Sequence, residues 1–486
     1  MADESWERIG LNAIASVRSF LLDLRLATRP MAQFSKVAAE RGAERNRRAA
    51  LSGITAATAR AVQIGASLLT VPLALRYLGN ERFGLWMTIS SVIVMADFAD
   101  FGLGNGLLNS VAKAHGKNDV DGIKKAISSA FASLCVISGI LLILFFSAYG
   151  FIPWADFFRV TSPAARLDAG PTLMVFAICF ALNLPAGVIQ RTQQGLQEGF
   201  ITDLWQLVGS VLTLIGLVAG IWLRVGLPIL VLAIAGAPLT ARLLNGLFFF
   251  SVRRPDLRPR WRFASLNTVK QIMSIGVLFF VLQVVVAIAY SADGLVVARA
   301  VGAVNVPEYV IPQRMFALIT MMATMFVTPL WPAYAEAISR GDIAWVKHSL
   351  RKSMTLVLLA SAGAAILLLL GSRELIYWWA GPTIHPPMIL LVGLAVWTVM
   401  DSCGIALAAF LNGSGFLHLQ IAVATLFGVS CITAKVYLAR RYGSAGLPWA
   451  TIFTWGLLNF LPLMIYVRWK LRHMTAARLE SAVPRG

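Results

Sequence analysis

The chain has 486 residues, of which 58% are hydrophobic and only 13% charged, yet its formal net charge is +19. A soluble domain carries about 25% charged residues, so this composition excludes an ordinary water-soluble enzyme and points to lipid as the solvent. The basic excess then has to be read from its position along the chain rather than from its sum.

The first fifty residues are polar and of mixed charge, without the pattern of a cleavable signal sequence. Within them, 11–26 is open to two readings, an amphipathic helix on the cytoplasmic membrane face or a disordered segment. From residue 51 to 469 apolar stretches recur that are long enough, at about 20 residues, to cross a hydrocarbon core of about 30 Å. They begin near residues 52, 83, 124, 171, 202, 227, 270, 308, 349, 387, 417 and 446. The expected fold is therefore all-α and polytopic, with about twelve transmembrane helices. With the N-terminus inside, the basic runs Lys113, Lys117, Lys124, Lys125 and Arg253, Arg254, Arg258, Arg260, Arg262 all fall on the cytoplasmic side. That asymmetry places both termini in the cytoplasm and accounts for the charge without nucleic acid.

Two halves follow from the same pattern. The expected divisions are a cytoplasmic tail (1–50), a six-helix lobe (51–250), a basic cytoplasmic linker (251–267), a second six-helix lobe (268–470) and a cytoplasmic C-terminal tail (471–486). One constant offset aligns Arg76 with Arg299, Gly79 with Gly302, Ala112 with Ala335, Asp119 with Asp342 and Lys124 with Lys347. Gly199-Phe200 and Gly446-Leu447-Pro448 also have counterparts, in Gly415-Phe416 and Gly226-Leu227-Pro228. Ordered identities at equivalent loops indicate duplication. Each half has an even number of spans, so the repeat is parallel and the substrate belongs between the lobes, near the midplane. The matched segments 111–127 and 334–350 read as amphipathic cytoplasmic connectors.

The sequence has no P-loop, His-Glu-x-x-His, Gly-x-Ser-x-Gly or Cys-x-x-Cys pattern. Cys135, Cys179, Cys403 and Cys431 are spread over predicted spans and the five histidines lie in or near loops. No cofactor, metal or enzymatic activity is expected. What remains are ionisable residues inside spans, which normally face a cavity or a partner. These are Arg60, Asp97, Asp100, Arg191 and Arg242 in the first half, and Asp293, Arg314 and Asp401 in the second. Lys435 and Arg299 sit near the outer surface, where they are expected to snorkel. By helix rise, Arg60 lies roughly 14 Å into its span, level with Asp100, and Asp293 is level with Arg314. Either both pairs are buried salt bridges, or the arginines are anion ligands facing a central cavity while the aspartates tune charge or carry protons. Arginine suits phosphate because its planar fork bonds two oxygens and stays charged. Trp86, Tyr290, Trp331 and Trp397 lie deep enough either to line a sugar path or simply to pack.

Several runs carry a family resemblance: Val71-Pro72-Leu73, Tyr77-Leu78-Gly79, Phe83-Gly84-Leu85-Trp86, Asp100-Phe101-Gly102-Leu103-Gly104-Asn105-Gly106 and Ala112-Lys113-Ala114. Over about residues 51 to 472 the chain resembles the Wzx-type O-antigen and exopolysaccharide flippases of the MOP (MATE-like) superfamily. The resemblance implies transport of a polyprenyl-pyrophosphate oligosaccharide across the bacterial inner membrane by alternating access. It also implies a cationic cavity between two lobes, the polyprenyl tail in membrane lipid, and polymerase and glycosyltransferase partners. Arg60 and Arg314, one in each half, are the expected anion ligands, with Arg191 and Arg242 behind them. A MATE-like drug/cation antiporter and a non-transporting scaffold subunit of a synthesis complex stand as alternatives.

Overall fold

The computed structural model describes residues 38–96, 100–158, 160, 162–291, 293–301, 306–380 and 385–482, and among these it contains helices and turns but no strand. The 11–26 segment lies outside the described residues. Residues 38–50, expected to belong to the polar tail, are the first turns of α1 (Ala38–Ala96), which runs for 59 residues. Gly79 breaks α1 with φ 73°, a left-handed conformation that costs a side-chain-bearing residue about 1–2 kcal/mol.

The rest of the first half comprises α2 (Leu103–Gly116), α3 (Val120–Tyr149), α4 (Pro163–Gly195), α5 (Gly199–Trp222) and α6 (Leu227–Phe248). A π-helical turn at Phe249–Arg253 and two short 3₁₀ turns form the linker. It is held to α3 by the Arg260 and Ser265 N–H groups, which donate to the hydroxyls of Ser128 and Ser129. The second half follows as α7 (Leu266–Ser291), α8 (Asp293–Ala300), α9 (Val306–Val327), α10 (Leu330–Ser339) and α11 (Ile343–Leu370). It ends with α12 (Ser372–Ala380), α13 (Met388–Ser414), α14 (Leu417–Tyr442), α15 (Gly446–Trp455) and α16 (Leu461–Ala482).

Nine stretches of the described residues are long and apolar enough to cross a membrane. Parting the last of them, Leu417–His473, at Gly443 and adding the two arms of α1 gives the twelve crossings expected. Only 17% of the most apolar window of α5 is buried inside the protein. Side chains such as Ile143, Leu367 and Val429 point outward, which is stable only if lipid covers them.

The duplication is visible in the backbone. Asn118 and Gly341 occupy equivalent turns, both with positive φ (56° and 74°). Each is followed by an aspartate that caps the next helix: Asp119 accepts from the Gly122 N–H at 2.8 Å, and Asp342 from the Trp345 N–H at 3.3 Å. These turns leave four orphan N–H groups at a helix start, and the carboxylate takes one of them.

The two lobes meet along α2. Gly102, with φ 77°, lies against α7 so closely that an added Cβ would stand 2.0 Å from the Gly276 carbonyl oxygen. One turn further, a Cβ on Gly106 would stand 2.4 Å from the Ile272 carbonyl oxygen. The Gly-Leu-Gly-Asn-Gly run is thus a backbone-to-backbone contact between lobes. Below it, the Trp331 indole N–H donates to Asn109 Oδ1 at 2.7 Å, and the Asn109 amide donates to the Asn412 carbonyl at 3.0 Å.

At the end carrying the basic loops a charged cluster finishes the closure. Arg45 of α1 is 1% exposed; its Nε donates to Glu336 Oε2 at 2.5 Å and its Nη1 to Asp342 Oδ2 at 2.8 Å. Its guanidinium lies 4.9 Å from the Trp345 ring centroid. Arg340 pairs with Glu336 as well, and also donates to the His115 carbonyl and to Asn118 Oδ1 across the lobe boundary.

Candidate functional site

Past Gly102, away from this closed end, α1 emerges from the packing: residues 60–64 are all exposed. Arg60 is among them. Its Nη1 donates to Gln63 Oε1 at 2.7 Å, and no ion pair among the described residues joins it to Asp100. Asp100 is used differently. Its carboxylate accepts from the N–H groups of Gly102 (2.8 Å) and Gly104 (3.1 Å), heading α2 where the chain reverses.

Gln63 and Asp100 line a cavity of about 490 Å³ inside the first lobe, together with Arg191 and Arg242. Arg242 Nη1 donates to Asn183 Oδ1 at 2.8 Å, and Arg191 Nη1 lies 3.4 Å from Gln194 Oε1. Phe176, Phe180 and Pro238 give the cavity an apolar side. The structure therefore brings together Arg191, Arg242 and Asp100, with Arg60 fixed to the rim through Gln63. Two arginines and an amide-lined wall around one helix-capping carboxylate form a site whose donors outnumber its acceptors, the arrangement that holds an anion.

Arg314 is exposed on α9. Eleven residues on, three turns of helix, Met325 shares its face and lines a second cavity between the lobes. The expected Asp293–Arg314 partnership is not formed. Asp293 pairs instead with Lys435, whose Nζ lies 2.5 Å from Asp293 Oδ1, while the Tyr309 hydroxyl and the Gln313 amide donate to Oδ2 at 2.7 and 3.1 Å. Lys435 does not snorkel as expected. It is 1% exposed, because α14 turns it inward onto α8 and the buried carboxylate holds it there. Asp401 of α13 is half-buried. Asp97 lies outside the described residues.

The aromatics separate. Trp86 is 7% exposed in the core of the first lobe, edge-on to Phe83 at 5.3 Å. Trp397 stacks edge-on to Trp455 at 5.7 Å. Each of these two rings packs edge-to-face against a neighbouring aromatic. Trp331 lines the inter-lobe cavity while its N–H is committed to Asn109. The Tyr290 side chain lies outside what is described.

Sequence reasoning missed Arg45, Arg48 and Gln197. The first two stood in a presumed tail, although Glu44 followed by Arg47 and Arg48 has the spacing of helical ion pairs, formed at 2.9 and 2.8 Å. Gln197 carries no sequence signal.

The family profile described as polysaccharide biosynthesis protein matches residues 52–338. The chain belongs to the polysaccharide biosynthesis protein family. A curated relative, a putative O-antigen transporter of Salmonella typhi, is 22% identical over 428 residues, covering 84% of this chain and 94% of the relative. A putative O-antigen transporter of Salmonella typhimurium is 21% identical over 282 residues, 56% of this chain and 62% of the relative. Among solved structures, an outward-facing multidrug resistance MATE family transporter of the MOP superfamily superposes with a TM-score of 0.74 at 15% identity. It covers 89% of this chain and 97% of its own. A MOP superfamily transporter from Pyrococcus furiosus, whose binding pocket is described as having reverse polarity, gives 0.73 at 15% identity and the same coverage. The MATE-like fold expected from the resemblance is thus the fold observed.

Proposed function

We propose that this family member is a flippase that carries a polyprenyl-pyrophosphate oligosaccharide across the bacterial cytoplasmic membrane for surface polysaccharide synthesis. The carrying observation is the convergence of Arg191 and Arg242 on one cavity with Arg60 at its rim. The pyrophosphate sits among these arginines and Arg314, the glycan occupies the cleft, and the polyprenyl chain stays in lipid. The transport names of the Salmonella relatives support the same reading. By the positive-inside rule the basic-loop end is cytoplasmic, with both termini on that side. The closed charged cluster around Arg45 then makes this the outward-facing state. Lobes at 51–250 and 268–470, linked by 251–267, rock about the α2–α7 contact, and polymerase and glycosyltransferases supply and consume the substrate.

A cation antiporter needs carboxylates available to its cargo. Here Asp100 is engaged in capping and Asp293 is neutralised by Lys435. The test is binding of undecaprenyl pyrophosphate to the purified protein by native mass spectrometry, for wild type, Arg191→Ala and Arg242→Ala. The variants are expected to lose binding by about tenfold or more, since each removes a charge-assisted contact. Equal binding by all three proteins would overturn the anion site.

A further inference from the structure

The second cavity, about 230 Å³, lies between the lobes on the basic-loop side of Arg60. Arg48 and Ala56 of α1, Arg191 of α4, Gln197 and Asp203 near the start of α5, and Trp331 of α10 all contribute to its wall. Gln197 is its anomaly. The residue is 5% exposed, stands at φ 59°, and neither Nε2 nor Oε1 has a hydrogen-bond partner among the described residues. A buried amide left without bonds is destabilising, so a lining residue in this state marks a place where something else completes the bonds.

The surrounding groups define that ligand. Gln197 offers one donor and one acceptor. Asp203 is an acceptor, oriented by the Thr55 hydroxyl, which donates to its Oδ2 at 2.9 Å. Arg48 and Arg191 are donors. A phosphate would use the two arginines but would meet the Asp203 carboxylate and the Gln197 carbonyl as repelling acceptors. A hydroxyl both donates and accepts, and matches the mixed set. The Trp331 ring, held by its bond to Asn109, supplies the flat apolar wall that a pyranose face covers. Ala56 is one helical turn, about 6 Å, from Arg60, so a ring close to a pyrophosphate held at Arg60 reaches the cavity.

We propose that this cavity is a sugar subsite, taking one pyranose ring of the glycan through Gln197, Asp203, Arg48 and Trp331. The proposal rests on the flippase reading and makes the inter-lobe face, rather than the first-lobe cavity, the part that reads sugar identity.

The experiment compares undecaprenyl pyrophosphate with undecaprenyl-pyrophosphoryl N-acetylglucosamine, galactose and glucose, binding to wild type and Gln197→Leu in nanodiscs. At least one sugar-bearing lipid is expected to bind wild type about tenfold tighter than the bare lipid, and Gln197→Leu to erase that difference while binding bare lipid unchanged. The unliganded Gln197→Leu protein is expected to melt no lower than wild type, because the substitution removes an unsatisfied amide. No sugar preference in wild type, with bare lipid still bound, would overturn the subsite and leave the flippase reading standing; so would a cavity holding water only. Failure to bind any of these lipids would overturn both. A clear loss of stability in Gln197→Leu would show the amide satisfied within the fold and overturn the subsite alone.

Discussion

Replacing Arg45 by alanine is expected to open the basic-loop end of the cleft. In the closed state the guanidinium is 1% exposed and bridges Glu336 and Asp342, both on the other lobe. Removing one partner of a buried ion pair costs about 3–5 kcal/mol because the remaining charge is left uncompensated. Here Arg340 still pairs with Glu336, and Asp342 is partly exposed, so the low end of that range applies. A loss of about 3 kcal/mol carried by the closed state alone shifts the closed-to-open ratio by about a hundredfold. Glu336→Gln should shift it further, since it leaves Arg45 and Arg340 facing each other as like charges. The assay is a spin-label distance measurement between Lys125→Cys and Arg351→Cys, exposed positions on α3 and α11, with the four native cysteines replaced. Wild type should give one short distance, and Arg45→Ala a substantial longer component. An unchanged distance distribution in a stably folded Arg45→Ala protein would refute the assignment of this cluster as the lock.

Three further outcomes follow from the geometry. Gly102→Ala should lower the melting temperature well beyond Gly79→Ala: both incur the left-handed penalty of about 1–2 kcal/mol, but only Gly102 also drives a Cβ onto a carbonyl oxygen, while Gly79 has open space. Equal melting points would contradict that. Lys435→Met should destabilise the protein by about 3–5 kcal/mol by stranding buried Asp293, and Lys435→Met with Asp293→Asn should recover most of it in a denaturation series. His115, in the last turn of α2, has a buried Nε2 without a partner among the described residues; burial pushes its imidazole down to about 4, Glu336 opposing and Arg48, Arg340 and Arg254 reinforcing. The unfolded chain therefore binds a proton between its ordinary value of about 6.5 and about 4 that the native state refuses, and stability should fall as pH drops through that window. His115→Gln should flatten that part of the melting-temperature profile, and an identical slope would count against the assignment.

Hydropathy made the all-α polytopic fold legible, because each span must be apolar over its full length whatever it touches, and the ordered loop identities made the duplication legible. The Asp100 to Gly106 run was legible as a motif but not as a lobe contact: glycine spacing signals close approach without naming the backbone approached. Charge depth was a poorer guide. Asp293 and Arg314 share a level, yet which partner a buried carboxylate takes depends on helix rotation, and α14 turns Lys435 toward it. Arg45 was hidden because a short amphipathic stretch of mixed charge reads as solvated until Glu336 and Asp342 arrive from nearly three hundred residues away. Gln197 was beyond reach, since an unsatisfied amide is a property of its surroundings.

The most direct test of transport is translocation of fluorescent undecaprenyl-pyrophosphate oligosaccharide in proteoliposomes, comparing wild type with Arg60→Ala, Arg191→Ala and Arg314→Ala reconstituted at equal levels. Translocation by wild type that falls sharply in all three variants is the result expected of an arginine-lined flippase. Wild-type protein that moves none of the glycolipid under any imposed ion gradient, yet exchanges an organic cation for protons, would contradict it.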